Sequence, residues 1–453
     1  MKSNISLLTK MVFEKERWDK AIYKADLKDI KQSVLKQLCK PEVRLDLFKR
    51  IISGNYEVMV FHIAEIPKPD GGVREVWVAE NEDRVILSII NDCLMELFRD
   101  IMISEHCQSY LSGIGTQEIV TNASNTISKL DDKNHNKEII MKLDLKKYFD
   151  TVVIEVIDEI FDMIEKILGC EHGTEPIINV LRKLYHRNLV FNKNGELVEL
   201  YGSLMQGCAI SGFLADVVLY DVDEMLAEEC SYYVRYSDDM LICHDDIDKA
   251  KEILDRELPK YGVSLHPKKC ERHTADEWVK FLGFNIKGDQ ITLSKNRTKK
   301  LLKEIFNRTL AKPWITPYQA KKAIKKYLYG TGDGYSWATS CFGAMRNNEE
   351  DIKVINNWIM DVIRLCEIRY NYNKQRKERG LKPKKIIYGW DDIGGIGIVM
   401  NLPDRTMIRG TGHKVKTGKE RTQKEIEYYY SVGCLLKCYK IGKQIYEACV
   451  RVI

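Results

Sequence analysis

The segment YYVRYSDDMLIC, residues 232–243, limits the possible folds of this chain more than any other stretch. Two short apolar runs flank the adjacent acids Asp238 and Asp239, a pattern that predicts a tight β-hairpin with the acids at its turn. Adjacent carboxylates repel each other, and each resists removal from water. The turn is therefore either solvated or close to a strong positive charge.

A second acidic segment, MKLDLKKYFDTV, comes earlier in the chain, and in it Asp144 ends an apolar run that predicts a strand. Strands of one sheet can bring such acids together, and clustered carboxylates require cations. Oxygen ligands of this kind suit Mg²⁺. Two Mg²⁺ ions held roughly 3.5–4 Å apart would activate a primer 3′-hydroxyl and stabilise the leaving pyrophosphate. The acids therefore predict nucleotidyl transfer, in which positioning and electrostatics supply the rate.

The length of 453 residues exceeds one ordinary core and predicts two or three domains. The 44% hydrophobic and 30% charged content is typical of a soluble globular protein. The sequence has no apolar run of about 18 residues, which predicts the absence of a membrane span. It shows no apolar signal region near the N-terminus, and its 13 cysteines are dispersed without a CxxC pair. We therefore predict a cytoplasmic protein with reduced thiols.

The net charge of +5 is distributed unevenly along the chain. Residues 291–453 carry a net charge of about +18, which leaves about −13 for residues 1–290. A basic C-terminal third on an acidic body predicts a polyanionic partner for that third, and nucleic acid is the partner we expect.

Periodicity of the apolar residues predicts the elements around the acids. Hairpins are expected over residues 61–79 and around Asn194-Gly195, and one long helix is expected over residues 211–230. From about residue 295 onward, helical patterns rich in Lys, Arg and Tyr dominate.

Across about residues 50–290 the chain resembles reverse transcriptases, with the palm motifs in their usual order. The matching segments are KLDLKKYFDTV (motif A), YGSLMQGCAISGFLADVVLYDVDEM (motif B), VRYSDDMLIC (the YxDD box of motif C), YGVSLHPKKCE (motif D) and VKFLGFNI (motif E, the primer grip), preceded by the fingers segments IPKPDGGVRE and EDRVILSIINDCL.

The resemblance implies an α+β fold, the right-hand polymerase, with fingers, a palm made of an antiparallel sheet plus helices, and a helical basic thumb. The expected domains are residues 1–105 for the N-terminal helices and fingers, 106–290 for the palm with motifs A to E, and 291–453 for the thumb and a C-terminal RNA-binding extension.

The same resemblance implies roles for single residues. Asp144 and Asp238 would be the main metal ligands, with Asp239 in support and Leu145 in the metal-binding set. Phe149 would be the steric gate that excludes a 2′-hydroxyl and selects deoxynucleotides. The remaining implied residues are Lys68 and Arg74 for the triphosphate, Gln206 and Gly207 beneath the template–dNTP pair, Lys268 or Lys269 for protonation of pyrophosphate, and Tyr236 and Gly283 at the primer.

Motif B departs from the intron-encoded pattern, in which Pro-Gln-Gly-Ser is followed by Ser-Pro. Here Met205 precedes Gln206, Cys208 follows Gly207, and Gly212 follows Ser211. The resemblance, with no HNH-type endonuclease block evident, implies a stand-alone bacterial enzyme of the retron-like, abortive-infection or defence-associated groups.

The basic C-terminal third contains an aromatic and cationic segment, RYNYNKQRKERGLKPKKIIYGW, residues 369–390. Aromatic stacking together with phosphate neutralisation suits unpaired or structured RNA. We expect Lys382, Lys384 and Lys385 to bind RNA. Further on, Tyr428, Tyr429 and Tyr430 are expected to pack in C-terminal helices, with a hydroxyl primer for protein-linked synthesis as the alternative.

The sequence as a whole predicts an RNA-directed DNA polymerase that uses two Mg²⁺ ions, with Mn²⁺ as a possible substitute. It would add dNTPs on a dedicated structured non-coding RNA and release cDNA, in bacterial antiviral defence. An intron-type maturase and an RNA-binding scaffold with accessory polymerase activity are the alternatives. The intact set of acids argues against a scaffold, because a scaffold does not need clustered carboxylates.

Overall fold

The computed structural model describes residues 5–68, 72–109, 115–131, 137–330, 341–388 and 390. The chain divides into two compact units. The first unit comprises residues 1–112, 142–242 and 246–271, and the second comprises 113–141, 243–245 and 272–453. The three-part division expected from the sequence, with boundaries near residues 105 and 290, stays a prediction.

Amphipathic helices make up most of the first unit. The longest, α5, buries Ile86, Ile90 and Leu94 on one face and packs against α1, α2 and α10. The helices of this unit are α1 (Leu7–Val12), α2 (Lys15–Ala21), α3 (Gln32–Leu38), α4 (Pro41–Ile52), α5 (Asn81–Met102), α7 (Tyr148–Thr151), α8 (Ile154–Ile167), α9 (Pro176–His186), α10 (Ser211–Val217), α11 (Tyr220–Glu229) and α12 (Ile247–Glu257).

The two predicted hairpins are present in the first unit, and together they form one four-stranded sheet. Its strands are β1 (Phe61–Pro67), β2 (Val73–Val78), β4 (Leu189–Phe191) and β5 (Leu197–Glu199), in the order β2-β1-β4-β5. Each hairpin is antiparallel, and β1 pairs with β4 in parallel. The β4–β5 turn contains Gly195 with φ +80°, as expected from the Asn-Gly pair.

A second four-stranded sheet carries the acidic segments. Its strands are β3 (Ile140–Asp144), β6 (Tyr232–Tyr236), β7 (Asp239–Cys243) and β8 (Glu271–His273), in the order β6-β7-β3-β8. Met240, Leu241 and Ile242 of β7 are all fully buried, so both faces of this strand are covered. The unbroken apolar run in the sequence is typical of a strand in that position.

The long helix predicted over residues 211–230 is wrong: the segment forms two helices, α10 and α11, with a turn between them. The carbonyl of Ala215 accepts hydrogen bonds from the hydroxyl of Tyr148 at 2.6 Å and from the guanidinium of Arg235 at 2.9 Å. The carbonyl of Asp216 accepts a second bond from Arg235 at 2.9 Å. Because side chains take these carbonyls, the helix does not continue through its own backbone bonds.

The second unit combines helices with a three-stranded antiparallel sheet. Its elements are α6 (Thr116–Asp131), α13 (Lys295–Arg308), α14 (Pro317–Tyr329) and α15 (Glu349–Glu378), with strands β9 (Val279–Phe281), β10 (Phe284–Lys287) and β11 (Gln290–Leu293). Helices α13, α14 and α15 pack against one another. Helix α14 begins with a capping box formed by Thr316 and Gln319, and Pro317 lies in its first turn.

The two units together confirm the predicted α+β class. The ten cysteines in the described part of the chain form no disulfide. None of the helices that the structure describes is both long enough and apolar enough to cross a bilayer. The tyrosines at positions 428–430 lie outside the described residues.

Candidate active site

The acids of the two sequence segments meet at one edge of the β6-β7-β3-β8 sheet. Asp144 ends β3, and Asp238 lies in the turn between β6 and β7. The amide of Leu145 donates a 2.8 Å hydrogen bond to the carbonyl of Asp238, and the amide of His266 donates to the carbonyl of Asp144 at 2.8 Å. The backbone alone therefore fixes the relative position of the two acidic segments.

The hairpin turn that holds Asp238 has an unusual backbone. Ser237 has φ +59°, a left-handed conformation that non-glycine residues rarely adopt. Its amide donates a 2.9 Å hydrogen bond to the hydroxyl of Ser109, which is fully buried. Such a conformation persists only where the surroundings hold it, and it is found often at functional sites.

Electrostatics at the turn reflect burial and like charge. Burial raises the pKa of Asp238, and the charge of Asp144 raises it further, while the cations of Lys269 and Arg74 oppose the rise. Burial also raises the pKa of Asp239 to about 6, with Asp238 as the next cause. The raised pKa values mean that the charged carboxylates are disfavoured here, and a bound cation would stabilise these charged forms.

Lys269 brings one positive charge to the acids. Its Nζ lies 2.7 Å from Oδ2 of Asp144. Partial burial lowers the pKa of Lys269, but the hydrogen bond to Asp144 and the charges of Asp238 and Asp239 outweigh it, so that the net pKa is raised. Lys268, which the sequence could not separate from Lys269, is exposed, and its amide donates to the ring of His266 at 3.3 Å.

The donor set at this edge fits a hard divalent cation. Asp144, Asp238 and Asp239 offer only oxygen ligands, the kind that Mg²⁺ prefers. Asp144 is 8% exposed, and its present partner is an ammonium group. A divalent ion would replace that single charge with a stronger one, so the residues suit the metal that the sequence predicts.

In a different acidic cluster of the first unit, an arginine side chain neutralises the carboxylates. Ligand atoms of Asp162, Glu165 and His172 lie within 4.8 Å of one another. Arg182 donates to Asp162 at 2.5 Å and to Glu165 at 2.8 Å. Because a fixed guanidinium already neutralises these acids, we assign no metal to them.

Phe149 and Gln206 face the same cavity, as expected for a nucleotide site. The cavity measures about 340 Å³ and is also lined by Asn91, Met95 and Gly207. Phe149 is half-buried, and its carbonyl accepts a 3.1 Å bond from the amide of Leu204 in the motif B loop. A backbone hydrogen bond thus joins the segment after Asp144 to the motif B loop, next to this cavity.

Gly207 lies where only glycine fits. Its φ is +104°, and a Cβ at this position would lie 3.0 Å from the carbonyl oxygen of Trp77 and 3.1 Å from the Cβ of Val76. The amide of Trp77 donates to the carbonyl of Gln206 at 2.7 Å. The glycine therefore lets the motif B loop pack directly on β2, the strand that carries Arg74.

A buried ion pair supports the acidic hairpin from behind. Arg235, fully buried on β6, donates to both carboxylate oxygens of Asp223 at 2.8 and 2.6 Å. Tyr233 donates to Asp223 at 2.6 Å. Breaking a buried pair typically costs about 3–5 kcal/mol, so these residues anchor β6 to α11. The arginine inside an apolar strand was a signal that the sequence interpretation did not use.

Asp216 is a second buried acid that sequence reasoning missed. Its Oδ1 accepts hydrogen bonds from the hydroxyl of Ser109 at 2.6 Å and the thiol of Cys107 at 3.2 Å. Burial raises the pKa of Asp216 to about 6. Its Oδ2 has no hydrogen-bond partner among the described residues. Asp216, Ser109 and the amide of Ser237 thus form a continuous chain that ends one residue before Asp238.

The other predicted residues take varied positions. Lys68 and Arg74 lie exposed at facing ends of β1 and β2, and the amide of Lys68 donates to the carbonyl of Gly72 at 2.7 Å. Tyr236 is half-buried at the end of β6. Gly283 lies in the second unit with φ +81°, in the turn between β9 and β10. Three further predicted residues, Lys382, Lys384 and Lys385, also lie in the second unit, and all three are exposed.

Residues 66–286 match the family described as reverse transcriptase (RNA-dependent DNA polymerase). Residues 66–286 form a reverse transcriptase domain. The domain contains Asp144, Asp238, Asp239 and Lys269, as well as the cavity beside Phe149. Its family uses divalent metal ions, which agrees with the oxygen-only donor set.

A curated relative shares this domain. The putative COX1/OXI3 intron 1 protein of Saccharomyces cerevisiae is 24% identical over 181 residues, which cover 40% of this chain and 20% of the yeast protein. This chain therefore spans about a fifth of that relative's length.

Solved polymerase structures are similar at low identity. The apo telomerase of Candida tropicalis gives a TM-score of 0.41 at 14% identity, covering 89% of this chain and 71% of that chain. An RNA-dependent RNA polymerase of a human picobirnavirus, with its insertion loop deleted, gives 0.43 at 12% identity, covering 72% and 62%.

Proposed function

We propose that this chain is an RNA-directed DNA polymerase that extends a primer with deoxynucleotides opposite an RNA template. The observation that carries the proposal is the 2.8 Å bond between the amide of Leu145 and the carbonyl of Asp238. This bond holds Asp144 and Asp238 together at one sheet edge, inside a reverse transcriptase domain.

The acids of this edge would hold two Mg²⁺ ions, with Mn²⁺ as a substitute. Asp144 and Asp238 are the main ligands in this proposal, and Asp239 and Leu145 complete the set. When bound, the ions supply activation of the primer 3′-hydroxyl and stabilisation of the leaving pyrophosphate. The raised pKa values of Asp238 and Asp239 support the assignment, because a cation would favour their charged forms.

Lys269 has two roles in this proposal. Its ammonium group neutralises part of the charge on Asp144, at 2.7 Å. It also stands close enough to the acids to give a proton to the departing pyrophosphate. General acids placed in this way contribute typically about 10²–10⁴ in rate.

Phe149 selects the sugar. It borders the cavity together with Gln206 and Gly207, the residues proposed to lie beneath the template–dNTP pair. A ring at that place excludes a 2′-hydroxyl by clash, which is a repulsive form of specificity. Lys68 and Arg74 would hold the triphosphate from β1 and β2.

The template in this proposal is a dedicated structured RNA, bound by the basic second unit. The segment with Lys382, Lys384 and Lys385 is attached to α15: Asn373 accepts from the amide of Lys384 at 2.8 Å and donates to its carbonyl at 3.1 Å. All three lysine side chains remain exposed. The backbone is thus fixed while the cations stay available for phosphate.

The activity is tested directly by comparing primer extension on an RNA template and on a DNA template. The purified chain is given one preannealed primer on an RNA template or on a DNA template of the same sequence, with Mg²⁺ and labelled dNTPs. We expect extension on RNA, and a product that resists ribonuclease and is degraded by deoxyribonuclease. No extension on the RNA template would contradict the proposal, and extension that occurs only when NTPs replace the dNTPs would mean an RNA polymerase instead.

The RNA partner is tested by salt dependence. Replacing Lys382, Lys384 and Lys385 by Ala should lower affinity for RNA that copurifies with the chain and reduce the salt slope by up to about 2–3. The exposed triple Lys28→Ala, Lys36→Ala and Lys40→Ala, in the first unit, is the matched control. Equal losses in both triple variants would contradict a specific RNA surface at residues 382–385.

A role in bacterial antiviral defence, exercised in the cytoplasm, is also part of the proposal and rests on the departures in motif B. Cells expressing the chain with its native flanking RNA should resist phage infection, and cells expressing Asp238→Asn should not. Resistance that survives Asp238→Asn would favour the RNA-binding scaffold over the polymerase as the defence activity.

A further inference from the structure

The second unit contains a groove with aromatic walls. It measures about 580 Å³, within the range of roughly 300–1,000 Å³ seen for small-molecule sites, and is bordered by the loop before α14 and by the C-terminal half of α15. Trp314 and Tyr370 both line it, and they are 56% and 44% exposed. Two exposed aromatic rings that line one groove mark a candidate binding surface for a flat partner.

Two arginine side chains of α15 hold the groove in shape. Arg369 is 1% exposed and donates to the carbonyls of Leu310 at 3.0 Å, Lys312 at 2.8 Å and Ile386 at 3.1 Å. It therefore joins the loop, the helix and the segment after the helix. Arg376 adds a 3.0 Å bond to the carbonyl of Lys382. The groove is thus preformed rather than a gap between loose segments.

The groove is also strongly cationic. Arg369 has no carboxylate partner in the described part of the chain, and its Nε has no hydrogen-bond partner there. Lys374 and Lys377 line the groove with it, together with one acid, Glu378. Residues 369–385 contain eight Lys and Arg residues and a single acid, Glu378. Such a surplus attracts a polyanion.

We propose that this groove binds an unpaired stretch of a nucleic-acid strand, with a base against Trp314 and Tyr370 and the flanking phosphates against Lys374 and Lys377. Unpaired bases offer flat faces for stacking, whereas a duplex hides them. An acidic peptide satisfies the lysines but leaves both aromatic rings without a flat partner. The site lies in the second unit and does not use the acids; it deepens the RNA-binding part of the proposed function, on which it rests, by naming the form of strand that is bound.

The test uses the full chain and fluorescein-labelled oligonucleotides, with binding followed by fluorescence anisotropy. The probes are a 12-nucleotide adenylate RNA, the DNA of the same sequence, and the RNA paired with its uridylate complement. Trp314→Ala should weaken binding of the unpaired RNA about 5- to 150-fold, the range for loss of one stacked base, and should leave the duplex unaffected. Trp314→Phe should retain most of the affinity.

Salt dependence separates the rings from the cations. The double variant Lys374→Ala with Lys377→Ala should reduce the salt slope for the single strand by about 1.4, at about 0.7 per phosphate. Trp314→Ala should lower affinity without changing the slope. If RNA and DNA probes lose affinity equally in Trp314→Ala, the groove takes either strand; if only one does, that strand is its ligand.

Three outcomes would overturn the inference: unchanged affinity of Trp314→Ala for both unpaired probes, an equal loss for unpaired and paired RNA, or a polyglutamate peptide that binds with the same dependence on Trp314. Thermal unfolding of each variant verifies that it is folded. Extension of a saturating preannealed primer–template is measured alongside. Groove binding without any extension by the wild type would refute the proposed polymerase function and leave this inference standing.

Discussion

Lys269 and Asp144 form a 2.7 Å ion pair at the edge of the sheet that carries the acidic hairpin. The pair joins motif D to motif A, and it selects Lys269 over its neighbour Lys268. It also shows that the carboxylate of Asp144, at the end of β3, lies beside a positive charge of the chain itself.

Lys269→Ala should lower the rate of single-nucleotide incorporation by about 10²–10⁴, the usual contribution of a general acid. Lys268→Ala is the matched control and should remain near the wild-type rate, because among the described residues only Lys269 of the two lysines forms an ion pair with Asp144. The measurement is the incorporation rate at saturating dNTP over a pH series. A loss in Lys268→Ala as large as that in Lys269→Ala would contradict the assignment.

Phe149→Val should admit ribonucleotides and reduce the ratio of kcat/KM for dNTP over NTP by at least about tenfold. The physical reason is the removal of bulk where the 2′-hydroxyl would lie. Met95→Ala enlarges the same cavity from another wall and should leave the ratio unchanged. If Met95→Ala relaxes sugar selection as much as Phe149→Val, cavity volume rather than the ring is the gate.

Asp238→Asn with Asp239→Asn should flatten the pH dependence of stability. The folded pKa of Asp238 is raised and that of Asp239 is about 6, above the ordinary value of 3.8. The folded chain therefore holds more protons than the unfolded chain between pH 4 and 6, and the free energy of unfolding falls as pH rises through that window. Asp216, whose pKa is also about 6, keeps part of this slope in the variant.

The same double variant should respond differently to metal. Mg²⁺ at pH 7 should raise the Tm of the wild type, because an ion that binds only the folded state stabilises it. The variant should show a smaller rise or none. Chemical unfolding and thermal scans in chelator and in Mg²⁺ measure both effects, and an equal rise in both proteins would place the metal elsewhere.

Ser109→Ala should reduce activity through the position of the catalytic turn. It removes the acceptor of the Ser237 amide and a donor to Asp216, and each buried unpaired group costs about 1–3 kcal/mol. Ser104→Ala, which removes a buried hydroxyl that accepts from the amide of His106 at 3.1 Å, is the control. Ser109→Ala should lower kcat with little change in KM, whereas Ser104→Ala should lose stability alone.

Much of the site follows from local sequence. The hairpin with Asp238 and the strand that ends at Asp144 are visible in short apolar runs, because burial on both faces of a strand leaves a continuous signature. Gly207 was predicted only to lie beneath the template–dNTP pair, and the structure adds that the missing Cβ lets the motif B loop pack on β2.

The features that could not be predicted from the sequence depend on contacts between residues far apart in the chain. The break between α10 and α11 comes from Arg235 and Tyr148, which reach the carbonyl of Ala215 from elsewhere in the chain. Ser109 and Asp216 are 107 residues apart, so no local pattern links them. Lys268 and Lys269 are neighbours in an irregular segment, where no periodicity distinguishes their directions.

The most direct test of the central claim is Mg²⁺-dependent incorporation of one dNTP on a preannealed RNA template by the wild type, Asp144→Asn, Asp238→Asn and the control Asp162→Asn. Asp162 belongs to the arginine-paired cluster and not to the proposed centre. We predict activity in the wild type and in Asp162→Asn, and none in folded Asp144→Asn or Asp238→Asn. Undiminished incorporation by either of those two variants would contradict a catalytic centre at this sheet edge.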